Sequence, residues 1–168
     1  PWEAAEAGAA VVVNDLDSHH AAEVAAEVLR AGGRAITVTS DISTEEGASE
    51  PIEAAIDEFG RVDIVVNNAG VLRSAPFADM TTVVWDHVIA VNLRGTFLVT
   101  LAAWPHFVER GYGRIVSTTS NSGLLGIAGS SAYAAAKAGV YGLTRSLALE
   151  SARAKAAGKS AVRVTRSA

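Results

Sequence analysis

The segment VDIVVNNAG, Val62 to Gly70, contains a short run of apolar, mostly β-branched residues followed directly by two asparagines and a glycine. This pattern is typical of a strand in a parallel sheet that ends in a turn, and it predicts a strand over Val62–Val66. Similar runs occur at Ala9–Asn14, Ala35–Thr39 and Arg114–Thr118. The chain therefore has four candidate strands that suit the interior of a parallel sheet.

Helical spacing of apolar residues separates these strands. The predicted helices are Ser18–Ala31, Thr44–Phe59, Thr82–Glu109 with breaks near Asn92–Gly95 and Pro105, and Ser131 to beyond Leu149, with a short last strand over Ala161–Thr165. Strands that alternate with helices at this spacing predict an α/β fold. We expect a doubly wound, Rossmann-like parallel sheet with helices on both faces, in a single domain over residues 1–168.

Composition excludes several classes of protein. Of 168 residues, 49% are hydrophobic and 19% charged, which is enough apolar material for a core. A net charge of −4 argues against a nucleic-acid partner, even though the segment Ser151–Ala168 is basic. The absence of cysteine excludes disulfides and thiolate zinc sites, and the four histidines lack metal-ligand spacing. The longest uncharged run, Ile115–Ala136, is rich in serine and glycine, so we expect no membrane segment and a cytoplasmic protein.

Asp15 follows the first predicted strand, where an acidic residue can bind the ribose hydroxyls of NAD. The alternative is an ordinary loop or helix-capping acid. No arginine or lysine stands close to Asp15 in the sequence to bind a 2′-phosphate, which favours NAD over NADP. The glycine turn that normally begins about 20 residues before such an acid would precede Pro1.

Four polar residues later in the chain are candidates for catalysis. Tyr133 and Lys137 stand four residues apart on a predicted helix, and a cation beside a phenol favours the phenolate. Ser120, just after a strand, could donate to a carbonyl oxygen, although serine is also common in turns. Asn92, in an apolar helical region, marks either a kink with a bound water or a helix end.

Together these residues resemble the classical short-chain dehydrogenase/reductase family. The resemblance runs from about Ala9 to Glu150 and depends on the order and spacing of several short motifs, with Ser120 thirteen residues before Tyr133. The motifs are VVVND ending at Asp15, Ser40-Asp41-Ile42, Val62 to Gly70, Val91-Asn92-Leu93, Gly113 to Val116, Ser120, and Tyr133 to Gly139.

The resemblance implies an oxidoreductase that transfers a hydride between NAD and a secondary alcohol or ketone. Tyr133 would be the general acid/base, and Lys137 would assist it and bind the nicotinamide ribose. Ser120 would position the substrate oxygen, and Asn92 would support a water in the proton relay.

The resemblance also implies the cofactor contacts. Asp15 would bind the adenosine ribose, Asp41 and Ile42 the adenine, and the segment Asn68, Ala69 and Gly70 would lie along the cofactor. The helix that carries Tyr133 would pack against its copy in a homodimer or homotetramer.

The chain departs from the family pattern at both ends. The family's first strand and its Thr-Gly-x-x-x-Gly-x-Gly turn would precede Pro1, and the substrate region after Glu150 has no obvious equivalent. That first strand belongs at the centre of the sheet, so we expect unpaired strand edges and no turnover by these 168 residues alone. The alternative function is that of a catalytically silent relative, or an inactive fragment that acts in binding or assembly.

Overall fold

The structure is a computed structural model that describes residues 5–156 and 161–167. These form two compact units, divided between Val62 and Asp63, which are described separately. The expectation of a single domain over the whole chain stays a prediction.

The first unit alternates two strands with two helices. The elements are β1 (Ala10–Asp15), α1 (Ser18–Arg30), β2 (Arg34–Thr39) and α2 (Glu45–Phe59). The two strands pair in parallel from Ala10 opposite Arg34 to Asp15 opposite Thr39. Both helices begin where the sequence predicts, because the side chains of Asp17 and Thr44 accept backbone N–H groups of the first turn.

The second unit contains a three-stranded parallel sheet in the order β3-β4-β5. Its elements are β3 (Ile64–Asn67), a 3₁₀ turn (Phe77–Asp79), α3 (Thr82–Ile89), a π-helical segment (Ala90–Arg94), α4 (Gly95–Arg110), β4 (Tyr112–Thr118), α5 (Ser122–Leu125), α6 (Ser131–Ala156) and β5 (Ala161–Ser167). Helix α4 packs on all three strands, and α6 packs on β4 and β5. The architecture is α/β with parallel sheets, as predicted.

The long helical stretch differs from prediction at its two expected breaks. Near Asn92 the helix widens into the π-helical segment and continues without interruption. The break predicted near Pro105 is wrong, because α4 runs through this residue. Proline removes one helical hydrogen bond, but Ala103 and Phe107 on either side are fully buried, and this packing keeps the helix continuous.

The stretch Thr82–Arg110 is long and apolar enough to cross a membrane by length and composition alone. Within the structure, 44% of its most apolar window is buried, and α4 packs against the sheet. A core helix of a soluble protein passes the same test, so the stretch is weak support for a membrane span.

Strands β1 and β3 are each paired on one side only among the described residues. The side chains of β3 alternate: Val65 is buried, whereas Ile64 and Val66 are 50% and 63% exposed. The predicted helical cover on both faces is therefore incomplete at β3.

Candidate active site

The first unit brings three predicted cofactor-binding residues to the carboxyl ends of its two strands. Asp15 is the last residue of β1, is exposed, and accepts the N–H of Asp17 at 2.9 Å. Asp41 follows β2, is exposed, and its Oδ1 accepts the N–H of Ser43 at 2.9 Å. Ile42, beside it, is half-buried. Because the two strands are parallel, the two carboxylates follow the same end of the sheet.

Hydrogen-bond contacts of the Ser40 side chain fix this end of the sheet. The Ser40 hydroxyl has one hydrogen and two acceptors within reach, Asn14 Oδ1 at 2.9 Å and the Gly47 carbonyl at 2.7 Å. A Cβ on Gly47 would come within 2.2 Å of the Asp41 carbonyl oxygen, so only glycine lets α2 begin this close to Asp41. The sequence analysis assigned no function to Asn14 or Gly47.

In the second unit, Lys137 is a buried cation beside Tyr133. Both lie on α6, and the Lys137 ammonium lies 5.5 Å from the centroid of the Tyr133 ring. Lys137 is 4% exposed, and its Nζ donates to the Thr118 carbonyl at 2.8 Å. Burial lowers the pKa of Lys137 from its ordinary value, since desolvation disfavours the charged form. The predicted pair is therefore formed, with Thr118 as a third partner.

Asn92 lies in the π-helical segment and is fully buried. Its amide nitrogen donates to the Val71 carbonyl at 2.8 Å and to the Val88 carbonyl at 3.0 Å. These bonds orient the side chain, but Asn92 Oδ1 is buried with no hydrogen-bond partner in the described part of the chain. A buried acceptor of this kind normally receives a hydrogen bond from a donor such as a bound water.

The loop after β3 comes close to both Asn92 and Lys137. A Cβ on Gly70 would lie 2.6 Å from Asn92 Oδ1 and 3.8 Å from Lys137 Nζ, so these two polar atoms flank bare backbone. Asn68, in the same exposed loop as Ala69, accepts the Thr118 hydroxyl at 3.1 Å. The loop is thus attached to the carboxyl end of β4.

Ser120 follows the same end of β4 and is half-buried. Its Oγ accepts the backbone N–H of Ser122 at 3.3 Å and the hydroxyl of Ser122 at 2.9 Å. Ser120 and Lys137 both line a small cavity of about 10 Å³, roughly the space of one water molecule. All four predicted catalytic residues therefore belong to the second unit.

The sequence analysis did not identify three further residues that shape the site. Thr118 contributes a backbone carbonyl, which no sequence pattern can reveal because every residue has one. Ser122 bonds Ser120, and its place two residues after Ser120 in a serine-rich loop is the only signal for it. A Cβ on Gly123 would come within 2.7 Å of the Ala138 nitrogen, so this glycine brings the Ser120 loop against α6.

Comparison with known proteins agrees with this architecture. The family model of short chain dehydrogenases matches residues 2–166, and the chain belongs to the short chain dehydrogenase family. A peroxisomal hydratase-dehydrogenase-epimerase of Neurospora crassa is 49% identical over 149 residues, which are 89% of this chain and 16% of that protein. The peroxisomal multifunctional enzyme type 2 of Mus musculus is 43% identical over 155 residues, 87% of this chain and 21% of that protein.

A solved structure extends the agreement to three dimensions. The crystal structure of a short chain dehydrogenase from Mycobacterium avium superposes with a TM-score of 0.88 at 34% identity, covering 98% of this chain and 61% of that one. This chain thus spans less than two thirds of the length of each relative named here. Its family consists of oxidoreductases that generally use NAD or NADP, and its fold is Rossmann-like.

Proposed function

We propose that the protein transfers a hydride between NAD(H) and a secondary alcohol or ketone, with Tyr133, Lys137, Ser120 and Asn92 as its catalytic set. The observation that carries this proposal is the buried Lys137 ammonium 5.5 Å from the Tyr133 ring. Burying a cation costs free energy, and few structural roles need one next to a phenol.

Tyr133 is the proton donor and acceptor at the substrate oxygen. The Lys137 charge favours the phenolate that Tyr133 becomes when it protonates a carbonyl oxygen. The Thr118 carbonyl fixes the ammonium in place, so the charge is oriented before reaction.

Ser120 donates a hydrogen bond to the same substrate oxygen and stabilises the negative charge that develops there. The unpaired Asn92 Oδ1 supports a water that passes protons toward Lys137. This role agrees with the position of both polar atoms beside Gly70.

The described residues fit a dinucleotide at both proposed contact regions. The bare backbone of Gly70 beside Lys137 suits close approach of a ribose, and Asn68 and Ala69 continue that exposed loop. In the first unit, Asp15 binds the adenosine ribose, and Asp41 and Ile42 contact the adenine. When bound, the nicotinamide supplies or accepts the hydride.

We propose NAD as the preferred cofactor, since the exposed Asp15 carboxylate would repel a 2′-phosphate. We further propose a cytoplasmic homodimer or homotetramer that acts on a small secondary alcohol or ketone. Cell fractionation would separate this location from the peroxisomal one that the fungal and mouse relatives carry in their names.

The replacement Tyr133→Phe tests the proposal in the full-length protein. It removes the hydroxyl and keeps the ring, so kcat should fall by about 10²–10⁴-fold while the fold is retained. Steady-state rates with NAD and with NADP, measured on the unchanged protein, should show NAD to be preferred.

Circular dichroism of both forms controls for folding. Near-normal turnover by Tyr133→Phe would disprove the catalytic assignment, and a clear preference for NADP would disprove the role of Asp15. A full-length protein that binds NAD but shows no turnover on any secondary alcohol would favour the catalytically silent alternative.

A further inference from the structure

We propose that Ser122 is a positioning residue for catalysis, which orients the Ser120 hydroxyl so that its hydrogen points to the substrate oxygen. This inference rests on the proposed function, because it concerns how Ser120 acts on the substrate.

The argument begins with the two hydrogen bonds between these serines. Ser122 donates its backbone N–H to Ser120 Oγ at 3.3 Å and its hydroxyl to the same oxygen at 2.9 Å. A serine oxygen has two acceptor lone pairs and one hydrogen. Both acceptor positions of Ser120 are therefore occupied by Ser122.

The Ser120 hydroxyl can still donate one hydrogen bond through its own hydrogen. None of the described residues accepts a hydrogen bond from the Ser120 hydroxyl, whereas a substrate carbonyl oxygen is an acceptor in need of donors. A hydroxyl that accepts a hydrogen bond also becomes a stronger donor, because neighbouring bonds polarise one another. Ser122 thus makes Ser120 a donor with a defined direction.

Ser122 is itself well fixed for this task. It is 1% exposed and begins α5, whose next residue, Gly123, packs against the backbone of Lys137 and Ala138. The Ser122 hydroxyl therefore has a constant position relative to α6, the helix that carries Tyr133 and Lys137.

A double-mutant cycle on the full-length protein tests the inference. The variants are Ser120→Ala, Ser122→Ala and the double replacement, with kcat and the dissociation constant of NAD measured for each. We expect Ser120→Ala to lower kcat by about 10²–10³-fold, and Ser122→Ala to lower it by about tenfold, the loss of one hydrogen bond. The double variant should match Ser120→Ala, because Ser122 acts only through Ser120.

Ser151→Ala is the matched control. Ser151 is also a buried serine of the second unit, and its hydroxyl donates to the Val162 carbonyl, near the amino end of β5 rather than beside Ser120. This variant loses one buried hydrogen bond and should be less stable with an unchanged kcat. Should Ser122→Ala fail to fold, Ser122→Cys replaces the hydroxyl by a weaker donor and completes the cycle.

The outcomes separate the two claims. Losses that multiply in the double variant, or an unchanged kcat in Ser122→Ala, would overturn the role of Ser122 and leave the proposed function standing. An unchanged kcat in Ser120→Ala would instead overturn the proposed role of Ser120, and the role of Ser122 with it. NAD binding should stay the same in all variants, and a parallel loss of NAD affinity would indicate a merely structural effect.

Discussion

The burial of the Lys137 ammonium costs folding free energy, and its charge serves the proposed reaction. The ammonium is buried, and the acceptor of its hydrogen bond is the Thr118 carbonyl, a neutral group. Desolvation therefore outweighs the hydrogen bond and lowers the pKa of Lys137 from 10.5. The folded protein thus tolerates a charge at a position where a neutral residue would be more stable.

The lowered pKa of Lys137 predicts an alkaline limit of activity. As pH rises through this pKa, Lys137 loses its charge and no longer favours the Tyr133 phenolate, so kcat/KM should fall at a pH below 10.5. Stability should change in the opposite direction, because the cost of burying the charge is present at low pH and is relieved as the lysine deprotonates. The pH profile of kcat/KM and urea unfolding across the same range measure the two effects.

Lys137→Arg is the matched variant for this prediction. A guanidinium keeps its charge above pH 12, so any remaining activity should extend upward by at least about one pH unit. An alkaline limit at the same pH in both proteins would show that another group causes it.

At the scale of elements, the contact between α5 and α6 determines the geometry of the site. Gly123 on α5 lies so close to α6 that an added Cβ would be 2.7 Å from the Ala138 nitrogen and 2.8 Å from the Lys137 carbonyl carbon. These are backbone atoms of a long helix, which cannot move aside as a flexible side chain can. The distance between the Ser120 loop and Lys137 is therefore short because Gly123 has no side chain.

Gly123→Ala should separate these two helices. We expect a loss of about 1–3 kcal/mol in the free energy of unfolding from overpacking, together with a fall in kcat, since Ser120 moves away from Lys137. Gly142→Ala on α6 is the control: a Cβ there meets nothing within 4 Å, and alanine favours helix by up to about 1 kcal/mol. Urea unfolding and steady-state kinetics measure both variants, and equal behaviour would show that the contact has no effect on the site.

The sequence predicted the bounds of helices and strands better than it predicted the packing contacts between them. Helix starts at Ser18 and Glu45 follow from local capping chemistry, so the sequence places them within a residue of the structure. Pro105 misled the prediction because a local rule was outweighed by the burial of Ala103 and Phe107, which is a tertiary effect. Local chemistry is visible in a sequence, whereas packing across elements is not.

The same distinction applies to the candidate site. Tyr133 and Lys137 could be paired from helical spacing, and the structure places them side by side. The Thr118 carbonyl and the Ser122 hydroxyl could not be assigned, because their importance comes from the close approach of β4, α5 and α6. Sequence spacing thus identifies residues on one element, and the fold is needed to find their partners on others.

At the scale of the whole molecule, one surface of the second unit indicates self-association. On α4 the apolar side chains of Phe97, Leu101 and Val108 share one face and are 44%, 54% and 49% exposed. An apolar stripe of this kind is costly in water and commonly marks a protein interface. On α6 the exposed residues include the small Ala135 and Ala138, which allow close approach of another helix.

We therefore predict that the full-length protein is a homodimer or homotetramer at micromolar concentration, and that Leu101→Glu shifts it toward smaller species. A carboxylate in the interface would lose its hydration without gaining a partner, so association should weaken by at least about tenfold. Leu29→Glu is the matched control, because Leu29 is 53% exposed and lies on α1 in the other unit. Light scattering measures the mass of each form, and a monomeric unchanged protein, or an equal shift in both variants, would contradict the prediction.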